Sequence, residues 1–299
     1  MKPFGTRHLG TVVAALLAAV ITGCANMRDA ATSELKPKPL AQVERPATEA
    51  RRPTVALVLG GGGLRGFAHM GVLRALEEAG IRPDIVVGTS AGAIVGAAYA
   101  SGMTVAQIEA AASQVKLSSL IDFTWSSQGL MRGNKLAAWV DTMTAGVPIE
   151  NFPIRYAAVA TDLASEKPVL LDSGPAGTAI RASAAVPGVT VAIPYGTGHL
   201  VDGGITSLVP VRFARAMGAD VVIAVDIYCQ GPRSDGVGAL TVIHRVMHAQ
   251  SCLLAAPEMA EADVLIAPAV KVSGLSAKDE QQLAIKAGYE AARAALPRR

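Results

Sequence analysis

A serine stands at the centre of Gly88-Thr89-Ser90-Ala91-Gly92, which fits the pattern G-x-S-x-G. Where this pattern joins a strand to a helix, it forms a sharp turn that exposes a nucleophilic serine hydroxyl. The two glycines let the backbone turn sharply and would set Ser90 at the N-terminus of a helix. The alternative interpretation is an ordinary tight turn that requires glycine and carries no chemistry.

A second glycine-rich segment, Gly60-Gly61-Gly62-Gly63-Leu64-Arg65-Gly66, comes shortly before the first. Successive glycine N–H groups can converge on the oxygen that becomes negative when a serine attacks an ester carbonyl. The same glycines fit G-x-G-x-x-G, the fingerprint of a dinucleotide-binding loop, which also needs an acidic residue at the end of the next strand. Asp84 precedes that strand, and Ser90 stands at its far end, so the sequence favours the oxyanion interpretation.

A serine nucleophile needs a base, and four residues are candidates. His244 and His248 come late in the chain, but their i, i+4 spacing inside a predicted helix is more typical of a helix surface, or of a two-histidine metal site. His69 lies one turn into the helix after the glycine loop and precedes the nucleophile. Asp202 is the remaining candidate and lies on a glycine-flanked turn after a predicted hairpin.

The elements that must position these residues alternate between strands and helices. Buried strands are predicted at 54–59 and 85–88, and helices follow them at 64–80 and 91–100. This order indicates parallel strands with both glycine-rich turns at their carboxyl ends, where open α/β sheets bind ligands. Further strands are predicted at 155–160, 168–171, 191–194, 199–201, 220–225 and 263–266, and further helices at 104–115, 134–144, 208–217, 238–255 and 276–295.

Residues 116–133 carry no clear period and are predicted to be irregular. They include Phe123, Trp125, Leu130 and Met131. A lid or lipid-facing loop would explain these apolar side chains, and so would ordinary packing in the core.

The N-terminal residues have the pattern of a targeting signal and are not expected to be part of the folded domain. Lys2 and Arg7 precede an apolar run over residues 9–23, which is 15 residues long, whereas a membrane-spanning helix needs about 20. A signal peptide is therefore predicted at 1–23. The run ends in Val20-Ile21-Thr22-Gly23-Cys24, which resembles the bacterial lipoprotein box, in which the cysteine receives a diacylglyceryl group.

The lipoprotein box implies that Cys24 anchors the mature chain to a membrane. Because Ala25 and Asn26 follow it, and not Asp, the resemblance implies the outer membrane of a bacterial envelope, facing the periplasm. The alternative is an ordinary secretory signal with an incidental cysteine. Residues 24–52 mix charge, proline and alanine, so a flexible tether is predicted there.

Residues 53–299 then form one predicted α/β domain without a second linker. They hold 19 basic and 20 acidic residues, and aromatic residues make up 4% of the chain. Nucleic-acid binding is therefore not expected, because it needs a clustered basic face and, for single strands, stacking side chains. Cys229 and Cys252 remain in an oxidising compartment, where they either pair or pack as small buried residues.

The ordered motifs together resemble the patatin-like phospholipase family, specifically its small bacterial members. The resemblance spans roughly residues 55–225. The matching segments are Gly60–Gly66, Ala68-His69-Met70-Gly71-Val72-Leu73, Gly88–Gly92, Arg181-Ala182-Ser183-Ala184-Ala185-Val186-Pro187-Gly188 and Asp202-Gly203-Gly204.

The resemblance implies a three-layer α/β/α fold and a catalytic dyad without histidine, in which Ser90 is the nucleophile and Asp202 the proton acceptor. It implies oxyanion donors at Gly61, Gly62, Gly63 and Arg65. The remaining motif glycines are Gly66, Gly88, Gly92, Gly203 and Gly204.

The chemistry implied by the resemblance is hydrolysis of lipid or phospholipid acyl esters through an acyl-enzyme, with no metal or other cofactor. A carboxylate near its usual pKa is a weak base for a serine, so Asp202 would have to be partly desolvated. The competing hypotheses are a non-catalytic envelope lipoprotein that uses the fold for binding or scaffolding, and, less favoured, a nucleotide-binding protein.

Overall fold

The structure is a computed structural model that describes residues 34–45, 52–126, 129–232 and 237–296. The predicted signal peptide, Cys24 and parts of the predicted tether lie outside the described residues. Within the described ranges, no helix is both long enough and apolar enough to cross a bilayer.

Two unbroken apolar segments form the centre of the main sheet, Val55–Leu59 (β2) and Ile85–Thr89 (β3), which pair in parallel. Arg155–Asp162 (β6) lies beside β3, and Val221–Val225 (β10) lies beside β2, followed by Val264–Ile266 (β11). All five strands are parallel and largely buried. This is expected of strands that are covered by helices on both faces.

Antiparallel strands complete the sheet next to β6. Lys167–Leu171 (β7) and Gly198–Asp202 (β9) both pair with it, and Ile193–Tyr195 (β8) pairs with β9 in the predicted hairpin. Through this pairing Asp202 lies opposite Ala160 of β6. The acidic residue is thereby brought to the carboxyl edge of the parallel strands.

The helices lie in two layers, one on each face of the sheet. They are Phe67–Glu78 (α1), Ala91–Ala100 (α2), Val105–Gln114 (α3), Leu117–Leu120 (α4), Asn134–Met143 (α5), Ala176–Ser183 (α6), Val211–Ala216 (α7), Ala239–Met259 (α8) and Lys278–Ala295 (α9).

Alternate residues of β2 face the two layers, as the period of a strand requires. Leu57 and Leu59 pack with residues of α1, α2, α3, α5, α6 and α9, whereas Ala56 and Val58 pack with α7 and the end of α8. The predicted three-layer α/β/α fold is confirmed.

Three expectations from the sequence need correction. Residues 116–133 are not irregular: they contain α4 and an antiparallel pair of strands, Phe123–Ser126 (β4) and Gly129–Met131 (β5). Phe123 and Leu130 of this pair are exposed. Helix α6 was not predicted, because it is only eight residues long and Ile180 is its single large apolar residue.

The tether predicted over 24–52 also needs correction for residues 34–45, which pack against the domain. Leu35 is buried, and Lys38–Pro39 (β1) pairs with β7 at the edge of the sheet. Lys38 Nζ and Asp172 Oδ2 are 2.7 Å apart. Edge pairing depends on the partner strand, so the segment's own composition does not indicate it.

Candidate active site

Ser90 lies in a strained turn between β3 and α2. Its φ is 52° and its ψ is −117°, a backbone conformation that residues with a side chain rarely adopt and that is common at functional sites. The flanking glycines make the turn possible. A Cβ on Gly88 would lie 2.5 Å from the carbonyl oxygen of Gly92, and a Cβ on Gly92 would overlap the carbonyl oxygen of Leu59.

The backbone of Ser90 is held by a buried serine that the sequence analysis quoted within a motif but gave no role. The N–H of Ser90 donates to Ser183 Oγ over 2.9 Å. The Ser183 hydroxyl in turn donates to the carbonyl oxygen of Val159 on β6 over 2.6 Å. The available signal was its place in Arg181–Gly188, one of the segments that resemble the family motif.

The glycine loop after β2 lies against this turn. A Cβ on Gly61 would be 3.4 Å from the Cβ of Ser90. The N–H of Gly61 donates to Leu208 O over 3.0 Å, and the N–H of Arg65 donates to Gly62 O over 3.2 Å. Within the described part of the chain, the N–H groups of Gly62 and Gly63 have no such partner. Of the four predicted oxyanion donors, Gly61 and Arg65 thus have a backbone N–H that is already hydrogen-bonded, whereas the N–H groups of Gly62 and Gly63 are available in the described structure.

The side chain of Arg65 contacts residues outside the glycine loop. Its Nε donates to Val270 O over 3.3 Å, and its guanidinium carbon lies 5.2 Å from the centre of the Tyr228 ring. Burial raises the pKa of the Tyr228 hydroxyl, the charge of Arg65 lowers it and the charge of Asp202 raises it. Tyr228 therefore lies within electrostatic reach of both the glycine loop and Asp202.

Asp202 is buried at the end of β9, next to Ser90. Its Oδ1 accepts a hydrogen bond from the N–H of Gly204 over 2.7 Å. Burial raises the pKa of Asp202 to about 6, although the hydrogen bonds from Gly204 and from the Ser90 side chain lower it. A carboxylate with this pKa is a better proton acceptor than an exposed one. Asp202 is therefore desolvated, as its predicted role as a base requires.

The turn that follows Asp202 depends on glycine. A Cβ on Gly203 would overlap the carbonyl oxygen of Val159, and one on Gly204 would lie 3.0 Å from Asp202 Oδ1. Gly66 is similarly close to the helix after Ser90, because its Cβ would be 3.1 Å from that of Ala91. The three motif glycines therefore allow close approach of backbone segments around the site.

The histidines serve other roles. His69 is fully buried, and its Nε2 lies 2.8 Å from Gly60 O. Burial lowers the pKa of His69 to about 4, against the effect of that hydrogen bond, so the neutral ring supports the glycine loop. His248 on α8 has its Nε2 3.2 Å from Tyr228 O, and His244 is exposed. In the described ranges, no hydrogen bond joins a histidine to Ser90.

Helix α8 contacts, at several points, the carboxyl edge of the parallel strands, the edge at which Ser90 lies. Cys252 of α8 forms a disulfide with Cys229, with their Cα atoms 5.6 Å apart, which resolves the alternatives left open by the sequence. Glu258 of α8 accepts a 3.0 Å hydrogen bond from Ser207 Oγ, and Ser207 O accepts one of 3.0 Å from Thr89 Oγ1. This chain of contacts ends at the residue before Ser90.

An apolar cavity of about 120 Å³ opens beside the glycine loop and Ala91. Its walls come from the layer of helices that contains α1, α2, α3 and α5. The lining residues are Gly63, Leu64, Gly66, Phe67, Met70, Ala91, Ile94, Val95, Ala98, Ile108, Ala112, Val115, Leu120, Trp139, Met143 and Leu275.

No group of three or more His, Cys, Asp or Glu side chains is placed to hold a metal ion among the residues that the structure describes. The carboxyl group of Asp202 is hydrogen-bonded to the side chain of Ser90.

The sequence profile of the patatin-like phospholipase family matches residues 57–215, which include the glycine loop, Ser90 and Asp202. The chain belongs to this family. An uncharacterized NTE family protein of Mycobacterium tuberculosis is 38% identical over 207 residues, covering 67% of this chain and 58% of that protein. The chain thus matches somewhat more than half the length of that relative.

A second relative and one solved structure are also similar to this chain. Patatin-like phospholipase domain-containing protein 7 of Rattus norvegicus is 35% identical over 181 residues, which are 58% of this chain and 13% of that protein. The crystal structure of VipD from Legionella pneumophila superimposes with a TM-score of 0.55 at 14% identity, over 88% of this chain and 71% of that one. The structural likeness concerns the fold alone.

Proposed function

We propose that the chain is a serine hydrolase of lipid acyl esters, in which Ser90 and Asp202 form a catalytic dyad. The observation that carries the proposal is the contact between a serine in a strained turn and a buried carboxyl group whose pKa is raised to about 6. Strain and a matched pKa are features that catalytic residues have and structural ones seldom combine.

In the proposed reaction, Asp202 accepts the hydroxyl proton of Ser90 while Oγ attacks the carbonyl carbon of the ester. The carbonyl oxygen becomes negative and is stabilised by the N–H groups of Gly62 and Gly63. Collapse of the intermediate breaks the ester bond, and the leaving alcohol takes the proton from Asp202. Water, deprotonated by Asp202, then cleaves the acyl-enzyme, which releases a carboxylic acid and restores Ser90.

The apolar cavity supports a substrate with a hydrocarbon chain. Its lining includes Gly63 of the glycine loop and Ala91, the residue after Ser90, and its walls are almost entirely apolar. Burial of an alkyl chain stabilises a complex by about 0.8 kcal/mol per methylene group. Membership in the patatin-like phospholipase family also favours a lipid or phospholipid ester.

The proposal is tested with p-nitrophenyl acyl esters, phospholipids and a fluorophosphonate probe that labels active serines. Ser90→Ala should abolish labelling and hydrolysis, and Asp202→Asn should lower the rate about a hundredfold or more. Ser113→Ala and Asp279→Asn change exposed residues of the same types and serve as controls that keep full activity.

Each outcome has a definite meaning. Full activity of Asp202→Asn would show that a residue other than Asp202, such as a histidine, accepts the proton of Ser90. The proposed hydrolase activity would be excluded if the folded wild-type chain neither reacts with the probe nor cleaves any lipid of a broad panel. That result would favour the alternative, a non-catalytic envelope lipoprotein.

We also propose that the chain is a bacterial lipoprotein anchored through Cys24, in the outer membrane and facing the periplasm. The support is the small-residue box before Cys24 and the residues after it. Cys24→Ala, or treatment with globomycin, should leave an unprocessed precursor. Normal processing of the variant would refute the anchor, and recovery with the inner membrane would refute the location.

A further inference from the structure

One side of α8 carries a stripe of exposed aliphatic side chains. Val246 is 50% exposed and Leu253 is 75% exposed, and the other members are similar. At 100° per residue, all of them fall within an arc of about 120° around the helix axis. We call this stripe the α8 face; it consists of Val242, Ile243, Val246, Leu253 and Leu254.

The α8 face points away from the domain, because the opposite side of the helix makes the contacts with it. The ring of His248 lies 4.5 Å from that of Tyr228, which in turn lies under Arg65 of the glycine loop. Cys252 is bonded to Cys229, and Ala255 is buried. The face is therefore held rigidly next to the candidate catalytic edge while its own side chains stay in solvent.

The stretch of chain that carries the α8 face has no acidic residue. Between residues 237 and 257 there is no Asp or Glu, and the exposed ionisable residues are His244 and Arg245. A surface that combines aliphatic side chains with basic residues complements the headgroup region of an anionic bilayer.

The area of the face argues against a second copy of the chain as its partner. Five partly exposed aliphatic side chains present on the order of 400 Å², about half of what each partner buries in a stable dimer. A bilayer has no such threshold, since a few inserted side chains and an electrostatic attraction together give reversible binding.

We propose that the α8 face inserts into the surface of an anionic phospholipid bilayer and so holds the catalytic edge against the lipid. The inference rests on the proposed function in that the substrate is taken to be a lipid. It is separate from the proposed anchor at Cys24, because it concerns the contact of the domain itself.

The test uses the full chain with Cys24→Ser, so that no lipid on residue 24 contributes and the remaining native cysteines are paired. Val246→Cys or Leu253→Cys then provides a single thiol for an environment-sensitive NBD fluorophore. Lys286→Cys is the matched control, because Lys286 lies on α9 in the layer on the other face of the sheet, and its side chain is 68% exposed. Vesicles of phosphatidylcholine with and without phosphatidylglycerol are added, some with doxyl-labelled lipid as quencher.

We expect the label at 246 or 253 to shift to shorter wavelength and to be quenched by doxyl lipid with anionic vesicles, while the label at 286 does neither. Equal responses at both places would mean that the chain adsorbs without using α8, and no response at 246 and 253 would mean that the face stays in water. Either result overturns the proposal. So does a label already shielded before lipid is added in a chain of twice the expected mass, which would identify a second copy as the occupant.

A functional readout uses the unlabelled chain. Ile243→Glu with Val246→Glu should lower hydrolysis of vesicle phospholipid relative to that of a soluble short-chain ester by about tenfold. An unchanged ratio would contradict the role of the face. Labelling is repeated with Ser90→Ala, which cannot turn over lipid, so binding is judged apart from catalysis. Insertion without any hydrolysis would refute the proposed function and leave the docking surface standing.

Discussion

The backbone N–H of Ser90 donates a 2.9 Å hydrogen bond to the hydroxyl of Ser183. This contact joins the strained turn to the end of α6, and the Ser183 hydroxyl donates its own hydrogen bond to Val159 O on β6. Both serines are buried, so water cannot replace the bond cheaply. The position of the nucleophile therefore depends on a residue that does not touch the substrate in the proposed reaction.

Ser183→Ala should lower both stability and turnover. The buried N–H of Ser90 would lose its acceptor, which costs about 1–3 kcal/mol, and the turn would relax from its strained geometry. We expect urea unfolding at lower concentration and a fall in kcat with little change in KM. Ser113→Ala on the exposed side of α3 is the control. An equal rise in KM, or loss of stability with wild-type kcat, would reduce Ser183 to a purely structural role.

The raised pKa of Asp202 predicts an acid limit to activity. Only the deprotonated carboxyl can accept the Ser90 proton, so the rate should fall about tenfold per pH unit below a pKa of about 6. The pH profile of kcat/KM on a soluble ester measures this. An acid limb near pH 4, the value of an exposed aspartate, would show that Asp202 is not the group that titrates.

The same shift makes a prediction for stability, with the opposite direction in pH. Because the pKa of Asp202 is raised on folding from 3.8 to about 6, the neutral form is favoured in the folded state. Its stabilisation is complete below pH 4 and is lost as pH rises through 6. Asp202→Asn lacks this dependence, so its stability relative to wild type should improve by up to about 3 kcal/mol between pH 4 and pH 7. Urea unfolding at both pH values measures the difference, and a constant difference would contradict it.

The centre of the fold and the turn that carries Ser90 could be predicted from local signals, whereas the role of Asp202 followed only from the resemblance to the patatin-like phospholipase family. The strands β2 and β3 are unbroken apolar runs. Each is followed by a glycine-rich turn whose residues are contiguous in the sequence and can therefore be recognised as a motif. The features that escaped prediction depend on distant partners. The pairing of β1 with β7 and the bond from Gly61 to Leu208 are set by residues far away in the chain, which neither composition nor spacing reveals.

The disulfide between Cys229 and Cys252 is another long-range contact that the sequence could not predict. Two cysteines can equally well remain reduced and pack as small buried side chains. In the structure, Asp226 Oδ1 accepts the N–H groups of Tyr228 and Cys229 over 2.8 and 3.0 Å in the loop that carries Cys229. The disulfide joins this loop to α8, a contact that only the folded chain establishes.

Loss of the disulfide should destabilise the chain. It closes a loop with a sequence separation of 23 residues, for which the entropic effect on the unfolded state is about 3 kcal/mol. The double variant Cys229→Ser with Cys252→Ser should unfold at lower urea concentration than wild type, and reductant should destabilise wild type alone. Cys24→Ser is the control. Equal responses of the double variant and wild type to reductant would show that the bond contributes nothing in solution.

The apolar cavity predicts which residue limits the length of the acyl chain. Ala112 lines the cavity from α3, an element that contributes nothing to the catalytic edge, and Ala111 is its neighbour on the same helix outside the lining. Ala112→Phe would fill part of the space that a long chain needs and leave the mouth at Gly63 unchanged. We expect kcat/KM for dodecanoyl or longer esters to fall about tenfold relative to butanoyl esters. Ala111→Phe, which adds the same ring outside the cavity, should leave that ratio unchanged, and an equal effect of both substitutions would mean that the acyl chain binds elsewhere.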